Sequence, residues 1–241
     1  EDQEVVNNQE LRDSVSSPWD EFRNHPGQVA RLKWDLLQDF YQDVVRVNGV
    51  QLIMLAELPQ VDKKARKKLF KEATQDDGSQ YNGEVTRLLY NYLVSAATLT
   101  DHCRYVMKDY GGTDYYKEYE QKVSEFSKLP ESAFIKDLRN YFAHHKIPSI
   151  GLSIGDIEFS DDEFRHEALI YTSDLDDSTK WSAASKKYIE DNFPHVYTAG
   201  LVKTHLGALS VLYAWIFSNF EHLHGQDHDE SLKIKERILR S

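Results

Sequence analysis

Residues 136–148 carry an arginine, an amide and an imidazole at spacings a helix would present together. At roughly 100° per residue, Phe134, Ile135, Leu138, Tyr141 and Phe142 gather into one apolar sector. The second histidine, His145, falls inside that sector and is expected to pack there. Asp137, Asn140 and His144 fall on the opposite flank, because residues three and four apart are neighbours on a helix. Arg139 projects from an adjacent flank, with the small Ala143 one turn on. Pro148 disfavours helical geometry at Ile147, so the histidines belong to the last turn.

Such a set suits phosphoryl chemistry on RNA. Arginine offers a fixed fork of donors for phosphate oxygens, and histidine moves a proton near neutral pH. A ribose 2′-hydroxyl would attack the adjacent phosphorus while His144 moves a proton, Arg139 stabilises the developing charge and Asn140 orients them. No metal and no cofactor is needed. The plainer alternative is that Arg139 and His144 interact with the helix dipole and its free carbonyls.

The pattern Arg139-Asn140-x-x-x-His144 resembles the Arg-x4–6-His signature of the HEPN superfamily, helical proteins that include many metal-independent ribonucleases. A polar residue commonly follows the arginine there, as Asn140 does here. The resemblance covers residues 82–224. It implies a homodimer in which both Arg139/His144 sets line one cleft, RNA as substrate, cyclic-phosphate products and a bacterial toxin or phage-defence setting with a regulatory partner protein. Lys146 stands where the toxin branch paired with a nucleotidyltransferase has tyrosine, so that branch is not assigned. Two other functions stay open: a noncatalytic scaffold, and a nucleotide-sensing module in which Arg139 binds phosphate without cleavage.

The rest of the chain must hold this helix. The sequence has 241 residues, 40% of them hydrophobic, enough for a substantial core. The pattern predicts a single mainly α domain over 1–241, a bundle of long helices with a small β-hairpin after the motif helix. A single cysteine, Cys103, excludes a disulfide framework and reads as a buried thiol, which points to the cytoplasm. The net charge of −11 argues against broad coating of nucleic acid, so an RNA site needs local positive charge. The strongest basic run is Lys63, Lys64, Arg66, Lys67, Lys68 and Lys71, either a guide for RNA or a solvated helical face.

In chain order, residues 1–18 form a polar arm and residues 19–80 the N-terminal helices. Val29, Leu32, Leu36, Leu37, Phe40, Val44 and Val47 recur at helical spacing over 28–58, a helix for the chain's own core, which is the commoner use, or for dimer packing, with a break near Asn48-Gly49. Residues 75–80 read as a loop. A second long helix covers 84–110, ended by Gly111-Gly112; His102 and Arg104 on it are candidates to support the Arg139/His144 set, as is Asp137. A helix over 114–127 precedes the motif helix.

After Pro148 the period changes to two, predicting a hairpin over about 149–172 with its turn at 160–163. Residues 176–179 offer N-caps for a helix to about 192, and 195–223 is the most apolar helix, ended by Gly225. Its dense part, 206–220, is too short for a confident membrane span and reads as core. His222, His224 and His228 lack the spacing of a metal shell. The core thus spans 81–225, and a charged tail helix occupies 226–241.

Overall fold

A computed structural model describes residues 17–70, 75–153, 166–175 and 181–241. The fold is mainly α, as the periodicities predict, and contacts divide the chain into two compact units. One comprises residues 39–214. The other joins the described part of residues 1–38 to Trp215–Ser241.

In the larger unit the central element is α5 (Gln75–Met107). Leu89, Tyr92, Leu93, Leu99, Cys103 and Met107 lie on its buried side, three and four residues apart. Against it run a π-helical stretch, Phe40–Arg46, and α3 (Val47–Val61), which follow α2 (Pro26–Asp39) in the chain. These two segments are antiparallel to α5: the Tyr81 hydroxyl donates to the Leu55 carbonyl at 3.0 Å, while Phe40 lies 5.6 Å from the His102 ring. Gly49 makes no break. It is the point of closest approach, where a Cβ would stand 2.9 Å from the Tyr92 ring, and the helical irregularity lies earlier, in the wider π turn.

Helix α4 (Lys63–Phe70) follows a bend at Asp62, whose carboxylate accepts from the Lys64 and Ala65 amides. The loop expected over 75–80 is instead the first turn and a half of α5, and Asp77 there pairs with Lys68 at 3.0 Å. Helix α6 (Asp114–Lys128) is capped by Thr113 and leads into α7 (Pro130–His144), the motif helix.

The predicted hairpin strands are β1 (Ile150–Leu152) and β2 (Ala168–Tyr171), antiparallel with Ile150 opposite Ile170. The expected turn at 160–163 lies outside the described residues. A third strand extends the hairpin into a sheet: β3 (His195–Tyr197) pairs antiparallel with β2, Leu169 opposite Tyr197. Ala168, Leu169 and Ile170 on the central strand are therefore all buried. Helix α8 (Ala183–Asp191) is capped by Ser182; the caps expected at 176–179 also lie outside the described residues.

Because His195–Tyr197 is extended, the last helix, α9, begins at Thr198 and not at residue 195. It runs to Arg240, so Gly225 does not end it and the tail helix is its continuation. Its first part is parallel to α5, with Tyr92 and His205 sharing a 2.7 Å hydrogen bond and the Tyr213 hydroxyl donating to the Leu99 carbonyl. By length and composition α9 is apolar enough to cross a membrane, and 39% of that apolar stretch is buried in this chain.

In the smaller unit, Ser17 caps α1 (Pro18–Asn24) in a reciprocal box with Asp20. Trp34 of α2 is buried against Phe217 and Phe220 of α9. Gly27 permits a close approach there, since a Cβ would fall 2.3 Å from the Asp227 backbone. Arg31–Glu221 and Glu21–Arg237 ion pairs flank the contact at 2.9 and 2.7 Å.

Candidate functional site

Proline at the first position starts α7, where no amide hydrogen is required. Phe134, Ile135, Leu138 and Tyr141 then turn its apolar face inward. Aromatic contacts fix its rotation: Phe134 lies against Trp181 and Tyr188, and Tyr141 stacks on Trp181 at 5.5 Å. The Tyr141 hydroxyl donates to the Asp174 carbonyl at 2.8 Å. Half-buried Phe142 meets Tyr90 of α5, ring centres 6.1 Å apart.

With the apolar face so committed, the polar residues of the last two turns face out. Arg139 is half-buried, and its guanidinium donates to the Asn140 side-chain oxygen at 3.2 Å. Among the described residues it forms no ion pair, so its charge is not neutralised by a protein carboxylate. Asn140, Ala143 and His144 are exposed, and the ring of His144, the last helical residue, makes no hydrogen bond with the described residues. Lys136 and Lys146 are exposed on either side. The region thus holds the local positive charge that an acidic chain needs to meet an anion.

Three expectations about neighbouring residues change. His145 does not pack in the apolar sector. The helix ends at His144, His145 takes non-helical angles (φ −127°, ψ −86°), and its ring is exposed, stacked on Tyr141 at 5.6 Å. Asp137 is committed elsewhere: one carboxylate oxygen accepts from the Ser182 amide at 2.9 Å and the Ser185 hydroxyl at 2.7 Å. It therefore anchors the start of α8 against α7. His102 and Arg104 are not brought to the motif. Tyr90 marks the level of Phe142 on α5, and His102 lies twelve residues further, about 18 Å along the axis. His102 meets Phe40 and Arg104 pairs with Asp101 at 3.2 Å.

The basic run on α4 lies toward the other end of α5. Lys68 pairs with Asp77, thirteen residues before Tyr90, or about 20 Å along the helix. Lys63, Lys64 and Lys67 are exposed and Arg66 is half-buried. They do not adjoin Arg139 or His144.

Three residues beside the motif had weaker sequence signals. Tyr90 is an exposed aromatic off the apolar stripe of α5, which is itself the signal that could have marked it. Ser182 and Ser185 match a helix-start pattern, but nothing in their spacing indicates Asp137 as partner. Cys103 is a buried thiol as expected: burial pushes it up to about 11, and the hydroxyls of Tyr119 and Tyr213 hold it. It is neutral at ordinary pH and not a nucleophile. His224 lies over Phe220 at 5.3 Å and 3.9 Å from Asp227.

No family model, curated protein or solved structure matches the chain.

Proposed function

We propose that the chain is a metal-independent endoribonuclease of HEPN type, acting in the cytoplasm with a bacterial toxin or phage-defence role. The observation that supports this most directly is Arg139, held by Asn140 and free of any described ion pair, about one and a half helical turns from the exposed His144 ring. Neither residue is used to pack the helix. Arg139 donates its fork to the nonbridging oxygens of the scissile phosphate. The 2′-oxygen bonds to phosphorus as the bond to the 5′-oxygen breaks. His144 takes the 2′-hydroxyl proton, the leaving oxygen gains one, and the product ends are a 2′,3′-cyclic phosphate and a 5′-hydroxyl. Asn140 keeps the guanidinium oriented. Two chains with both sets on one cleft would supply a second imidazole for the leaving group.

The openness of the site favours a second reading, a module that binds a phosphate-bearing ligand without cleaving it. Asn140, Ala143 and His144 are all exposed, and none of the described residues covers them to exclude water. One experiment separates the two. Labelled tRNA and a mixed single-stranded RNA are incubated in EDTA with the parent, His144→Ala and Arg139→Ala. The enzyme reading expects cyclic-phosphate ends from the parent and a loss of about a hundredfold or more in each variant. Absence of cleavage, with RNA or nucleotide binding that needs Arg139 but not His144, establishes the binding module instead.

A further inference from the structure

Tyr90 is an aromatic ring that the core does not use. It is 47% exposed on α5, while Leu88, Leu89, Tyr92 and Leu93 around it are buried. Its hydroxyl makes no hydrogen bond with the described residues. The ring is nonetheless held in place, because Phe142 of α7 backs it with ring centres 6.1 Å and planes 35° apart. Tyr105 supplies the contrast: it is 68% exposed on the same helix, about 22 Å further along the axis, with no aromatic neighbour among the described residues.

The rotation of α7 sets where this ring stands relative to the motif. Successive helical residues turn by about 100°, so around the outward side the order is Phe142, Arg139, Ala143, Asn140 and His144, spread over about 200°. Arg139 therefore stands between the aromatic pair and the imidazole. Ala143, small and exposed, leaves room for a strand to cross the helix there. With a phosphate on Arg139, the side that carries the 2′-hydroxyl lies toward His144 and the leaving-group side toward Tyr90.

Every base has a π-face, and an exposed ring fixed on a helix takes it at small entropic cost. We propose that Tyr90, backed by Phe142, stacks the base of the nucleotide on the 3′ side of the scissile phosphate. This rests on the RNA-cleaving reading of Arg139 and His144. It also narrows the substrate class. The stacked base must be unpaired and turned out of its own stack, as in single strands and loops, because a duplex keeps its base faces covered.

Cleavage by the full chain tests it, with an RNA oligonucleotide methylated at every 2′-oxygen but one, so that a single phosphate can be cut. Two further strands lack the base 3′ or the base 5′ of that phosphate. For the parent, kcat/KM should fall about tenfold or more when the 3′ base is missing, and Tyr90→Ala should lose as much on the intact strand. The two losses should not add, since each removes the same contact. Tyr90→Trp should keep the parent rate, Tyr105→Ala should match the parent, and annealing the strand to its complement should slow cleavage about tenfold or more. Tyr90→Ala as active as the parent, losses that add, or a Tyr90 effect that vanishes with the 5′ base instead would each overturn the stacking and leave the ribonuclease reading standing. A parent that cuts neither this strand nor tRNA overturns both.

Discussion

His205 is a histidine kept neutral by its surroundings. It is buried between Tyr92 and Phe126, and burial lowers its pKa from 6.5 to about 4. In the unfolded chain it would take up a proton near pH 6.5, so between about pH 6.5 and 4 the unfolded state binds more protons than the folded one. Stability from this residue is complete above pH 6.5 and is lost as pH falls toward 4, by on the order of 3 kcal/mol. Urea unfolding at pH 7 and pH 5 should show about 2 kcal/mol of that loss, and His205→Gln, which retains a polar partner for Tyr92, should flatten it. An equal slope in parent and variant would assign the acid sensitivity to other groups. Asp137 teaches a related point about residue type. A carboxylate three residues before Asn140 looks like catalytic support, yet its oxygen is used by Ser182 and Ser185, forty-five and forty-eight residues away.

Among elements, glycine shows how far local signals carry. Gly225 reads as a stop, yet α9 continues through it, and a Cβ there would meet only a Glu221 oxygen at 4.0 Å. Gly27 has no such signal, yet a Cβ there would stand 2.3 Å from the Asp227 backbone. Thermal melts should separate them. Gly225→Ala is expected to stabilise by about 0.5–1 kcal/mol through the helix it completes, and Gly27→Ala to destabilise by about 3 kcal/mol or more, because backbone cannot yield as a side chain can. Reversed signs would mean that the two helices approach elsewhere. The same logic explains what the sequence conveyed. Helices α2 to α3, α5, α6 and α7 were legible because their apolar residues recur every three or four positions. Strand β3 was not, because its extended form depends on pairing with β2, a partner that lies twenty-four residues earlier and leaves no period of its own. Arg139, Asn140 and His144 were legible as residue types, and their outward placement follows from the aromatic contacts of Phe134 and Tyr141, which periodicity alone does not specify.

At the scale of the molecule, charge constrains how RNA can be held. The chain carries −11 overall, so a strand laid across it is repelled except where cations gather. Around the motif these are Lys136, Arg139 and Lys146, and the α4 cluster lies about 20 Å away along α5. A single strand bound only at the motif neutralises one or two phosphates. Each lowers the logarithm of affinity by about 0.7 per logarithm of salt. His144→Ala with a short fluorescent RNA, titrated across salt concentrations, should therefore give a slope of about −0.7 to −1.4. A slope several times steeper would mean that the strand also runs over α4 and its exposed Lys63, Lys64 and Lys67. The shallow slope confines the contact to α7, which then holds a short stretch of RNA through Arg139 and its two flanking lysines.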